Sequence, residues 1–388
     1  MKTQRLFAIS ILVLAASIVI NGCATTTQGA ELSLIRSAAN NDCLAVERLL
    51  QAGTAVDSRN EVGATALMAA AMFGHTEIVK LLVDAGANVN TESTDGFTAL
   101  MGSAGWGHTE VTRLLIAAGA DVDAQNKDGL PVLSFAAEQG HTEAAKLLLE
   151  AGAKVNTRAA NGTTALMGAA ANGYTELATL LIEAGADVNT QDKIEGATAL
   201  ICASYNRHSE MVRVLIAANA DVNICSSNGR TALTTASYLG EPRIVELLIA
   251  GKADVNTQTN DEFTALYIAS QEGHTDVVEL LITAGADVNA QDKIEGATAL
   301  MVTSHRGHQE VARLLIDRGA RVNSQKHDGV TALMLAASSG HLEIVRMLVG
   351  AGSHIHAKTK GGTTALALAS EKGHSEIVDF LKEAGAKE

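Results

Sequence analysis

The stretch Gly63-Ala-Thr-Ala-Leu-Met-Ala-Ala-Ala-Met-Phe-Gly-His-Thr-Glu-Ile-Val-Lys-Leu-Leu-Val-Asp-Ala-Gly-Ala-Asn-Val-Asn90 predicts two short helices and a polar turn. The hydroxyl of Thr65 can accept a hydrogen bond at the start of the first helix, and Gly74 can end it in the left-handed conformation. We expect Thr76 to cap the second helix, in which residues 78–82 have the spacing of a buried stripe.

The same pattern recurs along the chain with a period of about 33 residues. Each unit begins with a G-x-T-A-L string or a degenerate copy of it. Because one such helix pair cannot bury its apolar face alone, neighbouring units must stack on each other. The strings begin at Gly63, Gly96, Gly129, Gly162, Gly196, Gly229, Glu262, Gly296, Gly329 and Gly362.

Turn, helix, turn and helix in this order and period resemble the ankyrin repeat. The resemblance covers residues 31–388 and implies an all-α ankyrin-repeat solenoid of about eleven helix-turn-helix units with hairpin-like fingers. Residues 31–57 carry two helical patterns without the G-x-T-A-L turn, as in an N-terminal cap repeat, and ten repeats follow.

Two departures from the family pattern affect the stack. The family's T-P-L-H is Thr-Ala-Leu-Met68 here and never ends in His, so the histidine that ties adjacent units in the family is absent from that position. The resemblance therefore implies a less rigid stack. Pro131 stands in one of the threonine capping positions, which predicts a weak joint in that unit.

Residues 1–22 have the composition of an export signal. Lys2 and Arg5 precede the apolar run Leu6–Ile20. As a helix this run spans about 22 Å, which is shorter than the roughly 30 Å hydrocarbon core of a bilayer and fits a signal peptide. The run leads into Ile20-Asn-Gly-Cys23, which resembles the lipobox of bacterial lipoproteins.

The lipobox resemblance implies that Cys23 carries a lipid and becomes the first residue of the mature protein. Residues 23–30 then form the lipidated Cys and a flexible tether. Because Ala24 is not Asp, the resemblance implies an outer-membrane lipoprotein that faces the periplasm. Asn21 departs from the usual small or aliphatic residue. The alternatives are an uncleaved anchor, or ordinary cleavage near Ala24 or Ala30, which leaves a periplasmic or secreted protein.

Composition and motifs give no sign of catalysis. The net charge of −14 disfavours nucleic acid as a partner. No nucleotide-binding, hydrolase or metalloprotease motif is present, so we predict no catalytic residue, metal, cofactor or small-molecule substrate. An enzyme or metal-site hypothesis depends on His354 and His356. Repetition at one position between the helices indicates a structural role for His75, His108, His141, His208, His274, His308, His341 and His374.

The cysteines after the signal do not indicate a disulfide framework. Cys43, Cys202 and Cys225 are odd in number once Cys23 is set aside. A single bond between Cys202 and Cys225 is left open.

Aromatic residues concentrate at two positions of the repeat, the end of the first helix and the turn before it. In ankyrin arrays these positions border the concave groove where protein partners usually bind. The alternative is that the rings fill gaps between alanine-rich helices. Six of the ten aromatic residues that follow the signal lie there, namely Phe73, Phe97, Trp106, Tyr205, Tyr238 and Phe263.

One segment is duplicated. Residues 188–200 recur almost unchanged as residues 288–300, and each copy lengthens its finger by one residue. The spacing of 100 residues indicates duplication of a block of three repeats.

Together these features predict a protein–protein interaction scaffold that a lipid anchors in the bacterial envelope and that binds a protein through its groove. The alternatives are an immunity or chaperone-like guard lipoprotein for one envelope protein and an effector exported to a host.

Overall fold

The computed structural model describes residues 26–387. Within this range every regular element is a helix, and the helices come in pairs. The predicted signal peptide and the predicted lipid attachment at Cys23 lie outside the described residues. The chain divides into two compact units, with the boundary between Ile194 and Glu195.

The first unit contains five helix pairs, and the second contains six. In chain order, α1 to α10 of the first unit are Thr26–Ala39, Cys43–Gln51, Ala66–Met72, Thr76–Asp84, Ala99–Gly105, Thr109–Ala117, Val132–Gln139, Thr142–Glu150, Ala165–Asn172 and Thr175–Glu183. Likewise, α11 to α22 of the second unit are Ala199–Tyr205, Ser209–Ala217, Ala232–Leu239, Pro242–Ala250, Ala265–Glu272, Thr275–Thr283, Ala299–Arg306, Gln309–Asp317, Ala332–Ser339, Leu342–Gly350, Ala365–Glu371 and Ser375–Glu383. These eleven pairs confirm the predicted fold class.

The first helix of the described chain begins earlier than expected. Residues 26–30 were predicted to belong to a flexible tether, but α1 already begins at Thr26. Only Gly29 weakens the helix in this stretch, and a single glycine costs about 1 kcal/mol, which does not end a helix whose later residues are packed. The helix buries Leu34, Ile35 and Ala38 and packs against α3.

Threonine caps the first helices as predicted. The N–H of Met68 donates to the hydroxyl of Thr65 over 3.3 Å. Helix α7 lacks such a side-chain cap, because Pro131 takes the threonine position. The same bond is made by Thr98, Thr164, Thr198, Thr231, Thr264, Thr298, Thr331 and Thr364.

The predicted cap of the second helix is wrong. Helix α4 has His75 as its N-cap residue, and Thr76 is the first helical residue. The hydroxyl of Thr76 lies 3.5 Å from the carbonyl of Gly74 and does not cap the following N–H groups. Ile78, Val79 and Leu82 form the buried stripe of this helix.

In seven repeats a histidine forms a hydrogen bond to the repeat before it. Nε2 of His75 lies 2.9 Å from the carbonyl oxygen of Ala39, and Nε2 of His108 lies 2.9 Å from that of Met72. A carbonyl only accepts, so Nε2 carries the proton and donates. These bonds confirm the predicted structural role. The same link is made by His141, His274, His308, His341 and His374.

At these joints a histidine does tie neighbouring repeats, and the lower rigidity implied by the family pattern stays a prediction. The tie comes from the histidine between the helices and not from the first helix, where the family pattern has one. Burial lowers the pKa of His108 and of His141, so both rings are neutral at pH 7 and each has one N–H to donate.

Where the ring of the next repeat covers the glycine of an inter-helix turn, that glycine is required for two reasons. Gly74 has φ = +74°, a conformation in which L side chains are strained. A Cβ added there would also lie 2.5 Å from Nδ1 of His108 in the next repeat. Gly107 and His141 have the same relation. At Gly140 the ring of Tyr174 takes the histidine's place.

A row of asparagine side chains ties the bases of the fingers together. Oδ1 of Asn90 accepts from the N–H of Asp121 over 2.8 Å, and its Nδ2 donates to the carbonyl of Gly119 over 3.1 Å. In the next repeat Asp123 takes the place of the asparagine. Its carboxylate cannot donate, so it accepts a hydrogen bond from the N–H of Lys154 and forms an ion pair with the Lys154 ammonium. The same pair of hydrogen bonds is formed by Asn156, Asn223, Asn256, Asn289 and Asn323.

We expect His108→Phe to lower the free energy of unfolding by about 1–2 kcal/mol, because the ring still covers Gly74 but the carbonyl of Met72 loses its donor. Urea unfolding followed by circular dichroism measures this. His356→Phe, at an exposed finger position, is the control and should change the value by less than about 0.5 kcal/mol. Equal effects of the two substitutions would contradict the role of the tie.

Candidate functional site

In the first unit, two aromatic residues follow directly on the ends of first helices. Phe73 is the C-cap residue of α3, and its half-buried ring stacks on that of His75 with 6.1 Å between centroids. Trp106 is the C-cap residue of α5, and 44% of it is exposed. It is the chain's one tryptophan. We call Phe73 and Trp106 the unit 1 patch.

In the second unit, two tyrosines lie at the equivalent helix ends. Tyr205 is the last residue of α11 and is 42% exposed, while Tyr238 lies in the last turn of α13 and is 46% exposed. The guanidinium carbon of Arg230 lies 5.7 Å from the centre of the Tyr238 ring, within the range of a cation–π contact. We call Tyr205, Arg230 and Tyr238 the unit 2 patch.

Phe263 is only partly available to a partner. Its half-buried ring stacks on that of Tyr267, with centroids 4.6 Å apart and planes 9° apart. Tyr267 is buried, and this burial raises the pKa of its hydroxyl to about 12, so the hydroxyl stays protonated. Phe263 thus covers a buried ring and exposes part of its own surface.

Phe97 does not belong to an exposed surface, and the expectation that it faces a partner is wrong. It is 6% exposed, and its ring meets that of Phe135 edge to face, with 5.6 Å between centroids. The physical reason is this packing, because the ring lies against Phe135 and beside Gly102, where a built Cβ would lie 3.4 Å from it. Phe97 is therefore part of the core and contributes to stability.

The sequence reasoning missed one exposed aromatic and one unusual carboxyl. Tyr174 is 36% exposed at the position that other repeats fill with histidine, and this break in the histidine series was the available signal. Glu138, in the last turn of α7, is partly buried, and its Cγ lies 2.8 Å from the position of a Cβ built on Gly168. Burial raises the pKa of Glu138 to about 7.

Between residues 26 and 387 the structure forms no group of three or more His, Cys, Asp or Glu side chains able to hold a metal ion. His354 and His356 are both exposed. Among the described residues Cys43, Cys202 and Cys225 form no disulfide, so the bond left open between the last two is not formed. None of the described helices is long and apolar enough to cross a membrane.

A family model of ankyrin repeats, which describes three copies of the repeat, matches the chain from residue 34 to residue 388. No curated protein matches the chain. The matched segments overlap and cover residues 34–126, 107–192, 166–259, 200–292, 237–326, 266–359 and 321–388.

The chain therefore belongs to the ankyrin-repeat family. Ankyrin repeats generally bind other proteins and are typically not enzymes, and no catalytic family is indicated for this chain. The class of protein is thus an interaction scaffold built from repeats.

We expect Glu138→Gln to stabilise the protein at pH 8 but not at pH 5. The carboxyl has a pKa of about 7 in the fold and near 4.5 when unfolded. The folded state therefore binds more protons between these values, and stability falls as the pH rises through about 7. The glutamine side chain of the variant stays neutral, so the variant avoids this loss of stability, which is on the order of 1 kcal/mol.

The urea midpoint measured at both pH values tests this prediction. Glu371→Gln is the matched control, because Glu371 has the equivalent place in the last repeat and is exposed. A gain for Glu138→Gln that is the same at pH 5 and pH 8 would contradict it.

Proposed function

We propose that this chain is a lipid-anchored scaffold of the bacterial envelope whose first-helix ends bind a protein partner. The observation that carries the proposal is the exposure of Trp106, Tyr205 and Tyr238 at equivalent helix ends. In each of these helices an earlier leucine, namely Leu100, Leu200 or Leu233, is buried and fills the core, so the large ring at the helix end is not needed there.

The chemistry of the patches supports protein binding. Tryptophan, tyrosine and arginine dominate the binding energy of protein interfaces, because each buries a large area with few rotatable bonds or a planar donor set. The unit 2 patch combines two exposed tyrosines with Arg230, and the unit 1 patch contains the tryptophan. The net charge of −14 favours a partner with a basic surface over nucleic acid.

The proposed location depends on the sequence of residues 1–23. A basic start, a short apolar run and Cys23 in a lipobox-like context support export followed by lipid attachment. Because the residue after Cys23 is alanine, we propose the outer membrane, with the repeats facing the periplasm.

We expect Phe73→Ala combined with Trp106→Ala, and separately Tyr205→Ala combined with Tyr238→Ala, to reduce capture of the partner at least tenfold without unfolding the protein. The full-length tagged protein is isolated from membranes of its own cells after crosslinking, and the captured proteins are quantified by mass spectrometry. Circular dichroism checks the fold.

Leu44→Ala is the matched control for these pairs, since Leu44 is 66% exposed on the second helix of the first pair and belongs to neither patch. Capture should be unchanged in this variant. Undiminished capture by both patch variants would show that the partner binds elsewhere.

We expect Cys23→Ser to abolish lipid attachment, because the sulfur of Cys23 is the atom to which the lipid would be attached. Metabolic labelling with an alkyne fatty acid should label the natural protein and leave the variant unlabelled, and the variant should leave the membrane fraction. Cys225→Ser, at an exposed thiol of a finger, is the control and should keep both properties. Labelling that persists in the Cys23 variant would contradict the anchor.

A further inference from the structure

Two fingers of the array are identical in sequence and differ from all the others in length. Residues 191–200 recur without any change as residues 291–300. The helix residues that follow have diverged, since Ile201, Cys202 and Ala203 correspond to Met301, Val302 and Thr303. Ile201, Ala203 and their two counterparts are buried, so the copies have changed even where packing constrains them.

Each of these fingers exposes one large aliphatic side chain. Ile194 is 58% exposed and Ile294 is 62% exposed. The turn itself explains the aspartate of this finger. The carboxylate of Asp292 accepts from the N–H of Glu295 over 2.7 Å and from that of Ala297 over 3.0 Å.

An aliphatic side chain forms no hydrogen bond or ion pair, and more than half of Ile194 and of Ile294 is exposed to solvent. A single exposed aliphatic residue is common on protein surfaces and needs no explanation by itself. Here the same residue is kept twice at the same exposed position while buried neighbours changed, which indicates a contact outside the chain.

The finger around Ile294 is held by its neighbours on both sides. Nζ of Lys293 lies 2.5 Å from Oε1 of Glu262 in the preceding finger, and Glu295 forms an ion pair with Lys326 in the following one. Glu262 has φ = +64°, a left-handed conformation that is strained for a non-glycine residue and that glycine adopts in most of these turns.

The first copy is held in a related way. Nζ of Lys193 lies 3.3 Å from the carbonyl of Ala160, and the N–H of Ile194 donates to Asp192 over 2.7 Å. In both copies the residues beside the isoleucine are engaged within the array. A side chain presented on a braced turn loses little freedom on binding, which favours affinity.

We propose that Ile194 and Ile294 are two equivalent anchors for one protein partner, and that this partner is built of identical subunits, each with an aliphatic pocket. The proposal rests on the proposed function as a protein-binding scaffold. Because the two fingers share a sequence and expose the isoleucine to nearly the same extent, they fit the same kind of pocket. One chain can therefore bind two identical pockets. The charged residues on either side of each isoleucine are expensive to place in hydrocarbon, so a protein pocket suits the tip better than a bilayer.

The test begins with a photo-crosslinking residue, benzoylphenylalanine, placed at position 194 or 294 of the full-length protein in its own cells. Matched controls carry it at Asp128 and Asp328, which are exposed at the tips of fingers of ordinary length. We expect one and the same protein to be joined at 194 and 294 and not at the control positions. Different proteins at the two positions, lipid only, or no product would overturn the proposal.

The crosslinked protein is then purified, and its binding to the scaffold is measured by interferometry. We expect Ile194→Ser and Ile294→Ser each to weaken binding about tenfold, and the double variant at least about a hundredfold, because each removes a buried aliphatic contact. Light scattering should show a partner of two or more identical subunits. A monomeric partner, or unchanged affinity with unchanged urea midpoints, would overturn the proposal.

The unit 2 patch variants separate this proposal from the scaffold function. If Tyr205→Ala combined with Tyr238→Ala removes binding while the double isoleucine variant keeps it, the scaffold function stands and the finger anchors are wrong. If the natural protein binds no partner by either route, both proposals are wrong.

Discussion

The fold depends on a contact between a histidine ring and the left-handed glycine of the preceding repeat. The ring of His108 lies where a side chain on Gly74 would be, and its Nε2 donates to the carbonyl of Met72. That carbonyl belongs to the last residue of α3, and carbonyls at the end of a helix have no partner within it. One ring therefore fills the turn, satisfies a carbonyl and fixes the distance between neighbouring helix pairs.

Predictions from the sequence succeeded where the determining interaction is local. Thr65 bonds to an N–H three residues away, and Gly74 has to reverse the chain at its own position, so both follow from a single unit. The regular period then predicts that such units stack. The same reasoning placed the exposed aromatics Trp106, Tyr205 and Tyr238 at the helix ends.

One failure is local, because His75 and not Thr76 is the N-cap residue of α4, and the other failures involve contacts between units. The partner of His75 is 36 residues earlier in the chain, so its identity depends on the register of the stack and not on any local pattern. The burial of Phe97 depends on its contact with Phe135, which belongs to the next repeat. In the sequence, Glu262 is a departure from the glycine that begins most of the repeat strings. Only the structure shows that its carboxylate forms an ion pair with Lys293.

The extra residue of each long finger has a consequence for how the gene changes. The insertion is absorbed within the turn, and Thr198 and Thr298 both cap the following helix in the usual way. Because each repeat contacts only its neighbours, a block between two such segments can be gained or lost without disturbing the rest. Unequal recombination between the stretches that encode residues 191–200 and 291–300 would add or delete 100 residues in frame. The length of the binding surface is thus a trait on which selection can act in single steps.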